Sequence, residues 1–521
     1  MKKFLSFILV IATLLTSIVA LVACTDNGTT TGGTEINMNI DLSKKPTLNV
    51  LMPNSSKSIE EVNADPTAKL LETLTGYKVN YTQLPADAST TLNTIFMDKK
   101  PYDAIKLTKD QFADLVEQDV LLDITDALAV FAPDMLQNIS KESWEVVTVN
   151  GKIYGIPERA SSDNIENPII FNYDLMLECG LEVPETLAEF ENVLKVLTEK
   201  LKKPAMTFDK ETPLIYAISA AFGIYSEWQE YDINGKKEVL FYMNAPRYNE
   251  YVEYMHSLYE KGYIEEEVST NTGANATMHF VNSFDANSGG AQAPVYATKL
   301  WTVSSILTSL SQKGIDTSGE MDDYLTYVRA LKENEGDTEK VYRSGGFTYI
   351  TAIPYYMAEN AGYALDWMNS KIKDTETEDN FRQMVIGTEG VHWTYTSDGN
   401  YIPAGSFEEK NSSDYYLTGT NETKYTDYWL ARVRKQDELF RAWSFLMEDA
   451  DNVGVKNIVD FTPPITAYTA NRSTIEMAAQ DWAYQMLKQG TGKLDEYLTK
   501  LNGQNKCAEA TKAINDWYYN K

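Results

Sequence analysis

Flat aromatic surfaces beside a few fixed donors and acceptors can hold a guest that has apolar faces and a polar rim. The chain has nine tryptophans and 33 tyrosines. Most aromatics in any protein are core, so position has to decide. Trp393, beside the turn-forming Glu389-Gly390, is the first stacking candidate, followed by Trp301 and Trp228. Trp367, Trp482 and Trp517 lie on amphipathic helical stretches and read as core. Glu158 and Arg159 stand just past the carboxyl end of a strand. A carboxylate accepts from two hydroxyls and a guanidinium donates to several oxygens, so both suit a hydroxylated guest. The other reading of the pair is a salt bridge at a hinge. Asn172, with a donor and an acceptor end, and Tyr173 complete the set.

Other chemistries find less support. The three histidines, His256, His279 and His392, share no short spacing, which argues against zinc. Asp449, Asp451 and Asp460 carry part of a calcium-loop spacing. Val453, however, offers no side-chain oxygen at the fifth position, and Asp460 replaces Glu at the twelfth. No metal and no cofactor is expected. Gly28, Gly32 and Gly33 neither follow a strand nor open a helix, so a dinucleotide site is not indicated. The Gly-x-Ser-x-Gly nucleophile motif is absent. In so acidic a chain no carboxylate pair is specific, and no catalytic residue is assigned. The formal net charge of −29 repels phosphate backbones and anionic lipid alike, which excludes nucleic acid as a partner.

The elements that must position these residues centre on Val149 to Met176. Asn150-Gly151 is a strong turn signal, Lys152 to Ile156 alternates like a half-buried strand, and Pro157 is expected to stop the ladder. A polar run from Glu158 to Asn167 separates this from a second, more apolar strand, Pro168 to Tyr173. Two strands joined by a stretch too polar to bury suggest a chain leaving one core for another. Before them, strands over 46–52, 77–84 and 102–107 alternate with helices over 59–75, 88–97 and 111–120. That order implies a largely parallel sheet, which binds ligands at the carboxyl ends of its strands. After the crossing, Thr186 and Glu189 form a capping box ahead of Leu187, Phe190, Val193, Leu194 and Leu197 on one helical face. Cys179 and Cys507 are far apart and read as two thiols rather than a disulfide.

The N-terminus has basic Lys2-Lys3, then an apolar run from Phe4, then Leu21-Val22-Ala23-Cys24. This resembles the bacterial lipobox. The resemblance implies a signal peptide over 1–23, a lipid on Cys24, and attachment to the outer face of the cell membrane. A transmembrane anchor and a plain signal peptide are the alternatives. Residues 24–45, rich in Thr, Gly, Asn and Asp, are expected to be a flexible tether.

Several segments also carry a family resemblance in their order and spacing. They are NGK-IYGIP, the strand ending FNYDLM, PETLAEF, LYEKGYIEEE, the return strand from Gly345-Gly346, and Gly387-Thr388-Glu389-Gly390 followed by Asp398-Gly399. Together they resemble the extracellular solute-binding proteins of bacterial ABC importers, carbohydrate-binding group. The resemblance implies an α/β fold of two hinged lobes, periplasmic-binding-protein-like (type II), each a mixed sheet flanked by helices. Lobe 1 is expected over 46–163 and 345–388, lobe 2 over 164–344 and 389–521. It further implies a monomeric binding subunit that takes a carbohydrate and delivers it to the transmembrane subunits of an ABC permease. One departure bears on the cargo: Phe171-Asn172-Tyr173 stands where many members end the crossing strand in Tyr-Asn-Lys. The alternatives are a tethered glycan-active enzyme, a glycosidase or lyase, and a binding protein for a peptide or other solute.

Overall fold

The computed structural model describes residues 35–520 except 87, 160–162, 286 and 411. The leader, Cys24 and the start of the tether therefore lie outside the described residues. In chain order the principal strands are β1 (Leu48–Met52), β2 (Val79–Gln83), β3 (Ala104–Leu107), β4 (Ile156–Arg159), β5 (Ile169–Asn172) and β6 (Met206–Thr207). They continue with β7 (Val295–Ala297), β8 (Leu325–Val328), β9 (Val341–Tyr342), β10 (Phe347–Ala352) and β11 (Gly454–Val455).

The first sheet has the order β2-β1-β3-β10-β4. Its β1, β2 and β3 are parallel, as the alternation of strand and helix requires, while β10 runs antiparallel to both β3 and β4. Successive side chains of β1 serve opposite faces, as a pleated strand demands. Leu48, Val50 and Met52 join one core, and Leu51 joins the other with Ile105, Leu107 and Phe112. The helix expected over 59–75 is two helices, Ile59–Ala64 and Pro66–Thr75. Pro66 cannot continue the first ladder but suits the opening of the second, where Asp65 caps. Pro157 does not end a strand. It sits inside β4, which tolerates it as the sheet's edge.

The second sheet has the order β8-β5-β7-β6. Its Ile169, Phe171, Val295 and Ala297 pack on Phe190 and Leu194 of the helix Leu187–Leu201, which starts on the Thr186–Glu189 capping box. A separate hairpin pairs Trp228–Ile233 with Lys236–Phe241, turned at Asn234-Gly235. From Arg472 the chain is helical, ending in Leu494–Gly503 and Cys507–Tyr518. Cys179 and Cys507 are both free thiols. No helix among the described residues is long and apolar enough to cross a membrane.

Two stretches sit apart from their sequence assignment. Residues 36–45, expected in the tether, are pinned to the body. Ile36, Met38, Ile40 and Leu42 alternate against the core, and Lys45 pairs with Asp366 at 2.5 Å. Residues 410–418, placed in lobe 2, are bonded to the first sheet's side of the molecule. Lys106 of β3 donates to the carbonyls of Asp414, Tyr415 and Leu417, and Tyr416 donates to the carbonyl of Val62 at 2.9 Å.

Several passages of chain meet between the sheets. The link from β4 to β5 and the link from β9 to β10 touch at Asn164 and Ser344, whose antiparallel bridge has a 2.7 Å hydrogen bond. A later stretch adds β11, parallel to β9. Gly345 has no room for a side chain, since a Cβ there would lie 2.9 Å from Asp163 Oδ1 and 3.2 Å from the Phe461 ring.

Candidate functional site

Beside this meeting point lies a cavity of about 310 Å³. The β4–β5 passage brings Glu166 and Asn167 to its wall, and β9 brings Tyr342. Tyr216 comes from the short helix Tyr216–Ser219, while Glu227 and Tyr242 flank the separate hairpin. Lys299 follows β7, and Glu476 and Gln480 come from the helix Arg472–Gln489. A hollow of about 190 Å³ shares Asn167, Tyr216 and Lys299 and extends the space toward Thr302.

The walls combine flat aromatic surface with polar groups that lack partners. The rings of Tyr216 and Tyr342 stack with centroids 4.3 Å apart and planes at 21°. Tyr242 is 3% exposed, and its hydroxyl has no hydrogen-bond partner among the described residues. An orphan buried hydroxyl is costly, so its exceptions ask for a reason. The carboxylate of Glu227 makes no hydrogen bond or ion pair to a described residue. Burial, reinforced by the nearby Glu476 and opposed by Arg472, pushes its carboxyl up to about 7. Its neighbours are better provided for. Glu476 accepts from Arg472 Nε at 2.7 Å, and Glu166 Oε2 accepts from Trp301 Nε1 at 2.9 Å.

The candidates named from sequence do not gather in one place. Trp301, 36% exposed, reaches this wall through its hydrogen bond to Glu166, and its ring meets Trp429 at 5.2 Å with the planes near perpendicular. Trp393 is 1% exposed, donates from Nε1 to the carbonyl of Gly387 at 3.0 Å, and meets Tyr395 and Tyr401 edge-on. Trp228 is packed against Phe241 and Tyr468. Neither indole offers a ring face to a ligand; both are core. Asn172 caps the helix Tyr173–Glu178, accepting from the amide of Leu175 and donating to Ser283, so its polar ends are already used. Tyr173 opens that helix, half-buried against the second sheet's core.

Glu158 is buried beneath the first sheet, paired with the equally buried Lys106 at 2.7 Å. Burial pushes its carboxyl up to about 7 and the Lys106 amine down, with the mutual attraction opposing both. Arg159 faces Asp163 at 2.7 Å, Glu422 at 3.4 Å and Glu142 at 3.7 Å, and covers the Phe461 ring. Lys456 pairs with the same Asp163 at 2.7 Å. Burial opposes ionisation of Asp163, but Lys456 and Arg159 outweigh it and hold the carboxyl below its usual range. This cluster clamps the crossing. It lies on a different hollow from Glu227, so the ion-pair reading of Arg159 describes its surroundings.

The histidines are dispersed: His256 bonds the carbonyl of Leu487, His279 pairs with Glu265, and His392 accepts from the amide of Thr388. Asp451 of the partial calcium loop pairs with Arg343. No cluster of ligating side chains able to hold a metal occurs among the described residues. Tyr216, Glu227, Tyr242 and Tyr342 escaped sequence reasoning, because no spacing relates them and tyrosine is common throughout.

A family model for bacterial extracellular solute-binding proteins matches residues 60–400. An uncharacterized protein in the butB 5′ region of Niallia circulans is 28% identical over 278 residues, which is 52% of this chain and 99% of that protein. A carbohydrate ABC transporter substrate-binding protein of Streptococcus pneumoniae is 26% identical over 219 residues, 39% of this chain and 41% of its own. Among solved structures, an HMO-binding ABC-transporter-associated solute-binding protein from Bifidobacterium longum infantis shares the fold. Its TM-score is 0.66 at 17% identity, covering 91% of this chain and 98% of the other.

Proposed function

The chain belongs to the bacterial extracellular solute-binding proteins, and from that premise we propose that it holds an oligosaccharide in the cavity beside the crossing and delivers it to an ABC permease. The cavity carries this reading. It stands where the passages between the two sheets meet, and it joins stacked tyrosines to carboxylates, an amide and an orphan hydroxyl. Aromatic faces match the C–H faces of a sugar ring, and the polar groups match its hydroxyls. The passages act as the hinge, with the first sheet and the segment around 410–418 on one side and the second sheet on the other. Binding signals the permease only if the guest favours the closed arrangement over the open one.

The anchor in this reading is a lipid on Cys24, supported by the Leu21-Val22-Ala23-Cys24 sequence and by the family's extracellular setting. The acidic body does not adhere to anionic lipid by charge, so the anchor bears the attachment. The protein acts as a monomer, without nucleic acid.

Titration calorimetry of the purified protein with a panel of oligosaccharides tests the reading, with chromatography of each mixture afterwards. Binding with no change in the sugar is expected; released products would make the protein an enzyme. Trp301→Ala is expected to weaken the best guest by about 2 kcal/mol, as loss of a rim aromatic does. Unchanged affinity would remove Trp301 from the site.

A further inference from the structure

Four carboxylates line the cavity, Glu166, Glu211, Glu227 and Glu476, against one lining cation, Lys299. They are not equivalent. Glu166 is occupied by the Trp301 indole and Glu476 by Arg472. Glu211 has a side chain 70% exposed, where water and salt screen it. The half-buried Glu227 carboxylate has no partner among the described residues, and the stacked Tyr216 and Tyr342 belong to the same wall. Tyr242 lines the same space, and its buried hydroxyl has no partner among the described residues.

We infer that Glu227 sets the charge of the guest: the cavity takes glycans without acidic groups and turns away those bearing uronic or sialic acids. The inference rests on reading this cavity as the carbohydrate site. A sugar hydroxyl donates to the Glu227 carboxylate and fills its vacancy. A guest carboxylate cannot donate, and above about pH 7, where Glu227 is ionised, it brings a second negative charge into a partly enclosed space where repulsion is strong. Asp460 and Glu476 face Glu227 with the same sign and Arg472 with the opposite one, so the surroundings do not convert this corner into an anion site. Lys299 stands on the wall shared with the smaller hollow and is outnumbered. An isolated carboxylate among aromatic rings also accepts an amine-bearing sugar, which belongs to the admitted class.

The test uses matched pairs: a neutral oligosaccharide and the same sugar ending in glucuronate or sialate, titrated calorimetrically into the purified protein. The neutral member is expected to bind at least about tenfold more tightly, and Glu227→Gln to narrow that ratio by about tenfold. Glu476→Gln, on a helix surface that tolerates the change, is expected to narrow it less, since Arg472 already offsets that charge. It keeps the question open to experiment should Glu227→Gln fail to fold. Equal binding of the two members by the wild type overturns the inference. So does a folded Glu227→Gln protein that keeps the wild-type ratio. Failure of every glycan to bind is a different result: it defeats the carbohydrate reading and removes the ground on which the inference stands.

Discussion

Glu158 beneath the first sheet and Glu227 beside the crossing are both pushed up to about 7, and burial is the leading cause for each. Their surroundings differ entirely. Glu158 has Lys106 at 2.7 Å, in a dry layer where Lys106 also holds the carbonyls of Asp414, Tyr415 and Leu417. The Glu227 carboxylate has no bonded partner among the described residues and stands on the wall of a cavity. A perturbed carboxyl therefore marks either a structural tie or a binding group, and what separates them is an unfilled partner beside free space. The Glu158 pair fastens the 410–418 segment to β3. In the function proposed above, Glu227 is the group left to meet the guest.

The contrast is tested most severely at Lys106. Replacing it with Met strands a buried carboxylate, so Lys106→Met is expected to lower unfolding free energy by about 3–5 kcal/mol in urea titration. A loss under about 1 kcal/mol would mean that the pair ties nothing down. A core indole behaves comparably: Trp393→Ala is expected to lower stability by about 3–5 kcal/mol, against a small change for Trp301→Ala, read as shifts in thermal midpoint. Glu227→Gln should act differently, through pH. The folded carboxyl, at about 7, lies above its ordinary 4.5, so its favourable contribution is complete below 4.5 and disappears as pH rises through 7. The variant's urea midpoint is expected to fall less than the wild type's between those limits, by an amount between the Lys106 and Thr186 effects. Glu158 is present in both proteins and cancels. Parallel midpoints would place Glu227 in a better-solvated setting. The smallest change is expected at Thr186→Ala, which removes the second sheet's capping box for about 1 kcal/mol and leaves ligand affinity untouched in calorimetry.

Much of the architecture was readable because it is local. The alternation through β3, the Thr186 cap and the Asn150-Gly151 turn, whose φ values are 52° and 79°, depend on residues within a few positions of one another. The passage near 164–168 and the return at 344–346 were readable from a polar run and a glycine pair. Pro157 misled because a breaker in the middle of a sheet is admissible at its edge, and edge position is a tertiary fact. Ile36, Met38, Ile40 and Leu42 were overlooked among the polar residues that separate them. Glu158 was read as a ligand contact because its partner sits on another strand and that partner's acceptor lies 311 residues further on. The cavity was hidden for the same reason: Tyr216, Glu227, Tyr342 and Glu476 converge only once the passages between the sheets are in place.

The long reach of Lys106 also bears on the protein's birth. Its carbonyl acceptors emerge 308–311 residues after it, and Tyr349, which faces Glu158, is likewise a late arrival. A nascent chain with β1 to β3 already outside the ribosome has a half-built sheet and a lysine with nothing to grip. Such distant closure delays folding.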